Sequence, residues 1–143
     1  MPPGGSELSR KEEILSLEEI LKLIKHGVSL GVNKIRITGG EPLVRKGIIS
    51  LVNQIAEIKD IDDIAMTTNG VFLKEFATEL KSSGLSRLNI SLDTMREDRF
   101  AEITRGGNIA DVFDGVEAVL KAGFKGTKMN AVVMRGDNDD EIH

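Results

Sequence analysis

Along this chain the spacing of apolar residues switches repeatedly between a helical and a strand period, which leaves few architectures open. Ser16 with Glu19 three residues on fits a capping box, and Leu17, Ile20, Leu21, Ile24 and Val28 follow the stripe of a helix packed on one side. Gly31 ends it. A β-branched run follows at 34–38, then a helix over 45–58 with Ile48, Leu51, Val52, Ile55 and Ile58 on one face. Residues 61–66 read as a strand, and 71–83 as a helix aligned on Phe72, Phe76 and Leu80. Another strand fits 87–92. Helical patterns return at 96–103 and at 109–122, the latter on Ile109, Phe113, Val116 and Leu120, before a last strand at 128–134. Met66, Met129 and Met134 read as core filling. The α-β unit recurs about every 30 residues. This order predicts an α/β fold with a parallel sheet and right-handed crossovers, its four strands near 33–38, 62–67, 86–92 and 126–134. A barrel and an open sheet both satisfy it. The first element is a helix with no strand before it, so residues 1–143 read as a single partial domain whose first strand lies upstream.

Composition narrows the chemistry. Lys plus Arg number 19 against 23 Asp plus Glu, a formal charge of −4, which disfavours nonspecific nucleic-acid binding. With five Phe and neither Trp nor Tyr, the core must be aliphatic. There is no cysteine, so this chain supplies no disulfide, thiolate metal site, Cys nucleophile or cysteine-held iron–sulfur cluster. Its two histidines, His26 and His143, do not make a metal centre, and no metal ligand is assigned. No apolar run approaches the roughly 20 residues that span a bilayer, and the first residues lack a signal-peptide pattern. A cytoplasmic protein with no membrane contact is expected.

In parallel α/β folds, binding groups gather at the C-terminal ends of the strands. Those ends carry Gly39-Gly40-Glu41-Pro42, Thr67-Thr68-Asn69-Gly70, Ser91-Leu92-Asp93-Thr94 and Met134-Arg135-Gly136-Asp137. The paired glycines let a ligand approach the backbone, and Glu41 could accept from an ammonium group. Equally, the segment could be a tight turn with Glu41 at the dipole of the next helix. Thr68 or Asn69, and Ser91 or Asp93, read as helix caps or as groups facing a polar ligand. Arg36, Asn89, Lys128 and Asn130 are polar within strand bodies. Arg36 and Lys128 either snorkel out of the sheet or point into a polar cavity suited to an anion such as phosphate. The spacing does not choose between these.

Taken together, Lys34-Ile35-Arg36-Ile37-Thr38-Gly39-Gly40-Glu41-Pro42-Leu43, Thr67-Thr68-Asn69-Gly70, Asn89-Ile90-Ser91-Leu92-Asp93 and Lys128-Met129-Asn130 with Val132-Val133 resemble the GTP 3′,8-cyclases of molybdenum-cofactor biosynthesis. These are a family of radical S-adenosylmethionine enzymes. The Gly-Gly-Glu-Pro element alone points only to the superfamily; the four blocks in this order point to the cyclases. The resemblance implies an incomplete parallel (β/α) barrel, TIM-like. The chain is then expected to begin just after the cluster cysteines and to stop before the last barrel strand and a C-terminal second-cluster region.

It also implies that Gly40 contacts the S-adenosylmethionine amino group with Glu41 beside it, and that Ser91 meets its methionyl portion. Arg36, Thr67 and Lys128 would line the GTP side. The implied cofactors are S-adenosylmethionine and 4Fe-4S clusters, the clusters held elsewhere in a parent lyase. The implied partners are GTP as substrate and an electron donor, and a homodimer is allowed. The implied reaction is removal of the GTP 3′ hydrogen by a 5′-deoxyadenosyl radical, then attack of the ribose carbon on guanine C8. No side chain here is assigned as acid, base or nucleophile. Without cysteine, the chain alone is expected to be inert. Competing readings are another radical S-adenosylmethionine enzyme, a TIM-like lyase using Lys128 as a Schiff-base amine, and a non-enzymatic binding fragment.

Overall fold

The computed structural model describes residues 14–141. The lead-in at 1–12 and His143 lie outside the described residues. Helix α1, Leu17–Ser29, opens with both bonds of the expected capping box: the Ser16 hydroxyl accepts from the Glu19 N–H, and the Glu19 carboxylate accepts from the Ser16 N–H. Strand β1 is Lys34–Ile37, followed by a 3-10 turn at Pro42–Val44 and helix α2, Ile48–Ala56. Then come β2 (Asp63–Thr68), α3 (Leu73–Ser82), β3 (Arg87–Ser91), α4 (Glu97–Thr104), α5 (Ile109–Lys121) and β4 (Lys128–Asn130). A second 3-10 turn, Asp139–Glu141, ends the described chain.

All three strand pairings are parallel, and the sheet order is β1-β2-β3-β4. The order runs one way without reversal, as the wall of a (β/α) barrel does, whereas a doubly wound sheet reverses at a switch point. Alternation along each strand then gives the sheet two chemically different faces. Ile35, Ile37, Ile64, Met66, Leu88 and Ile90 join the helices in one largely aliphatic core with Val52, Ile55, Leu73, Leu80, Val112 and Val119, to which Phe100 and Phe124 also belong. The other face carries Lys34, Arg36, Asp63, Ala65, Thr67, Arg87, Asn89, Ser91, Lys128 and Asn130.

Three expectations are corrected. Helix α5 buries Ile109, Val112, Gly115 and Val119, while Phe113 and Leu120 from the expected stripe are 41% and 67% exposed. The cause is close packing on α3 and the loop before it. A Cβ on Gly115 would lie 2.4 Å from the Gly70 carbonyl oxygen and 3.0 Å from the Leu73 Cβ. The helix therefore presents its smallest residue there and rotates larger ones outward.

Strand β4 stops at Asn130 instead of running to 134, because other partners take its backbone. The Val132 N–H donates to Asp93 Oδ1 at 2.9 Å, the Val132 carbonyl accepts from Asn138 Nδ2 at 2.9 Å, and the Met134 N–H donates to Asn138 Oδ1 at 2.6 Å. Met129, expected as core filling, is 48% exposed: it lies at the open edge of the sheet, on the face that its neighbour Ile90 buries under helices.

Gly115→Ala is expected to cost about 2–3 kcal/mol through overpacking. Gly40→Ala, with nothing within 4 Å of the added carbon, should change stability by less than about 0.5 kcal/mol. Urea unfolding of the two variants side by side checks both; equal stability would contradict the packing argument.

Candidate functional site

At the C-terminal ends of the strands the loops are tied in pairs. Glu41 caps the 3-10 turn after β1, its Oε1 accepting from the Leu43 N–H at 3.1 Å. Oε1 also accepts from the Thr68 hydroxyl at 2.8 Å, and Oε2 accepts from the Asn69 N–H at 2.8 Å. Thr68 is buried, and its oxygen in turn accepts from the Gly70 N–H at 3.1 Å. Asn69 Oδ1 accepts from the Val71 N–H, the local turn bond its residue type suggests. The turn reading of Glu41 therefore holds and extends further: the carboxylate joins the loop after β1 to the loop after β2. Beside it, Gly39 and Gly40 are exposed, with open space where side chains would stand.

The loops after β3 and β4 are tied as well. Buried Asn138 donates to the Asp93 carbonyl at 2.6 Å, and Asp93 takes the Val132 N–H described above. Asp93 thus serves the β4 loop rather than capping α4. Thr94, also buried, donates to Glu141 Oε1 at 2.6 Å, and the Met95 N–H donates to Glu141 Oε2 at 2.8 Å. Arg99 pairs with Asp140 at 2.6 Å and with Glu141. The Glu141 carboxyl is held below its ordinary range by the Thr94 hydroxyl first, then the Met95 N–H and Arg99. Asp140 is lowered chiefly by Arg99.

Between the two tied pairs lies a cavity of about 320 Å³ whose lining includes Asn69, Ser91, Asp93, Thr94, Phe100 and Thr104. Ser91 is exposed at the end of β3.

On the sheet face away from the helices, the register aligns Arg36 with Ala65 and Ala65 with Arg87. It aligns Thr67 with Asn89, Asn89 with Lys128, and Ser91 with Asn130. Arg36, Thr67, Ser91 and Lys128 therefore share one face, though they lie far apart in sequence. Arg36 and Lys128 are exposed and have no ion pair within the described residues. Lys34 sits on the same face two residues before Arg36, where sequence reasoning had passed over it; the period of two was the available signal. Sequence reasoning also missed the Asp63–Arg87 ion pair at 2.5 Å. Ala65, the small residue between the two arginines, is buried without joining the aliphatic core. Lys34, Arg36 and Lys128, with no ion pair among the described residues, stand on one wall of an acidic chain and make that wall locally attractive to anions.

A parallel one-way sheet, a Gly-Gly-Glu-Pro loop after one strand and a polar face opposite the helices define part of a (β/α) barrel wall, with polar loops at the strand ends. The Radical SAM superfamily matches residues 3–143, and the chain belongs to that superfamily. The chain is 55% identical over 143 residues to the GTP 3′,8-cyclase of Thermodesulfovibrio yellowstonii, covering 99% of this chain and 44% of that protein. It is 49% identical to the GTP 3′,8-cyclase of Alkaliphilus metalliredigens and 50% identical to that of Moorella thermoacetica, each with 99% of this chain and 44% of the relative covered. The chain thus spans less than half the length of these curated relatives. Among solved structures, TYW1 with a lysine-pyruvate adduct bound shares the fold, with a TM-score of 0.53 and 19% identity over 87% of this chain and 44% of that one. Among the described residues, no helix is long and apolar enough to cross a membrane.

Thr68→Val removes the hydroxyl that Glu41 and the Gly70 N–H share, leaving both short of a partner at a buried position. A loss of about 1–3 kcal/mol is expected in urea unfolding, largely recovered by Thr68→Ser. A second expectation concerns acid. Asp140 and Glu141 have lowered folded-state values, so their stabilising contribution is complete above the ordinary carboxylate range. It is lost as pH falls through those lowered values. The Met95 amide resonance should follow that loss, with a midpoint below the ordinary glutamate value; an ordinary midpoint would contradict the clasp.

Proposed function

We propose that this chain is the central wall of a GTP 3′,8-cyclase, a lyase. What supports the reading most is a single arrangement: the register sets Arg36, Thr67 and Lys128 on one face, below the glycine loop and the Ser91 cavity. The cyclase relatives, about half identical to this chain over 99% of its length, support the same reading.

The chain's residues do not fit an iron–sulfur cluster, since it holds no cysteine. They do fit S-adenosylmethionine. The open approach at Gly39 and Gly40 suits its amino acid end, which the Gly40 backbone would contact with Glu41 beside it. Ser91 would meet the methionyl portion at the cavity mouth. When bound at this rim, S-adenosylmethionine would supply the hydrogen-abstracting radical chemistry. Arg36 and Lys128 hold anionic or polar oxygens of GTP through charge-assisted hydrogen bonds, and Thr67 adds a hydroxyl between them. The fixed wall presents the ribose in one orientation and keeps quenching groups away from it. An electron donor is required, and this cysteine-free chain alone carries no turnover.

The test uses the full-length protein with its clusters reconstituted anaerobically, a chemical reductant, S-adenosylmethionine and GTP deuterated at C3′. Deuterium appearing in 5′-deoxyadenosine, with loss of GTP to a cyclised product, is the expected result. Cleavage of S-adenosylmethionine with GTP untouched would keep the superfamily and remove the cyclase. Arg36→Met and Lys128→Met should each raise the KM for GTP by about tenfold or more, the value of a lost charge-assisted bond. Gly40→Ala should weaken S-adenosylmethionine while leaving Tm unchanged.

A further inference from the structure

The two loop ties are built alike. In the first, the Thr68 hydroxyl donates to one oxygen of Glu41 at 2.8 Å, the N–H of the next residue, Asn69, donates to the other at 2.8 Å, and the N–H after that, Gly70, donates to the Thr68 oxygen at 3.1 Å. In the second, the Thr94 hydroxyl donates to one oxygen of Glu141 at 2.6 Å, the Met95 N–H to the other at 2.8 Å, and the Arg96 N–H to the Thr94 oxygen at 3.1 Å. Both threonines are buried, at 2% and 3% exposure. Glu41 reaches the β2 loop from the strand before it, and Glu141 reaches the β3 loop from the strand after it. The clasped pairs flank the Ser91 cavity from both sides: Asn69 of the first clasp and Thr94 of the second both line it.

From this repetition we infer that Glu141 is a positioning residue for S-adenosylmethionine. It touches no ligand. It fixes the segment between Ser91 and Thr94 so that the Ser91 hydroxyl and the cavity wall keep a single placement, as Glu41 does for the opposite wall. Arg99 holds Glu141 from behind and is held in turn by Asp140. A carboxylate suits this role because it offers two acceptor oxygens to a hydroxyl and an N–H side by side, an arrangement an amide cannot match. The inference rests on the reading of the strand-end rim as the S-adenosylmethionine site, and does not depend on which second substrate is turned over.

The experiment uses the full-length, cluster-loaded protein. The Kd for S-adenosylmethionine is measured by equilibrium dialysis without GTP, and the KM and kcat by 5′-deoxyadenosine formation. Glu141→Gln and Thr94→Val should each raise Kd and KM for S-adenosylmethionine about tenfold with kcat within about twofold, and Thr94→Ser should return both to within about twofold of wild type. If Glu141→Gln does not fold, the Thr94→Val and Thr94→Ser pair carries the test alone. A Thr94→Val protein with lowered Tm but unchanged Kd would mean a structural tie only and would overturn the inference. Wild-type protein that binds no S-adenosylmethionine overturns it together with the site reading. Wild-type protein that binds and cleaves S-adenosylmethionine without consuming GTP removes only the cyclase, and the tenfold shift in Kd would still stand in support.

Discussion

Everything else in this structure depends on the parallel ladder and its register. Four strands paired in sequence order place residues from across the chain side by side. Because side chains alternate, a single register decides the face of every one of them. Shifting β1 by one residue against β2 would send Arg36 into the aliphatic core and bring Ile35 or Ile37 to the polar wall. The helices enforce the observed register, since Ile35, Ile37, Ile64, Met66, Leu88 and Ile90 find their apolar partners only on the helical side. The anion-attracting wall is thus a by-product of core packing on the opposite face.

Much of this could be read from the sequence, and the reasons are local. The Ser16–Glu19 capping box is a short-range motif and appears as expected. The strands at Arg36 and Asn89 could be located from β-branched and alternating neighbours. What failed depended on contacts distant in sequence. The phase of α5 is set by the Gly70 carbonyl pressing on Gly115, and nothing in the 109–122 pattern announces that contact. The end of β4 is set by Asn138 and Asp93, side chains outside the strand. The facing of Arg36 and Lys128 was undecided in sequence because it needs the register of all four strands. Glu41 shows the same limit: its turn role was legible, but its reach across to Thr68 was not.

The loops are ordered by acceptors rather than by apolar burial. Glu41, Asp93, Asn138 and Glu141 each accept backbone N–H groups of their own or a neighbouring loop. A carboxylate or amide in that role satisfies donors that a loop would otherwise leave to water, and keeps the rim polar and open. The barrel face can then combine a rigid frame with accessible glycines, which an apolar rim would cover.

The Asn138 contacts bear on more than where β4 ends. Strand edges are the surfaces through which β proteins stick to one another, and a long, flat, apolar edge invites it. The run Met129 to Met134 is rich in apolar residues and would make such an edge if it were extended along its whole length. With the Val132 and Met134 N–H groups taken by Asp93 and Asn138, and the Val132 carbonyl taken by Asn138, the available ladder shrinks to three residues. Together with Asp93, one buried amide thus spends the pairing capacity of residues 132–134 inside their own loop, so that this stretch has few backbone groups left to offer a further strand.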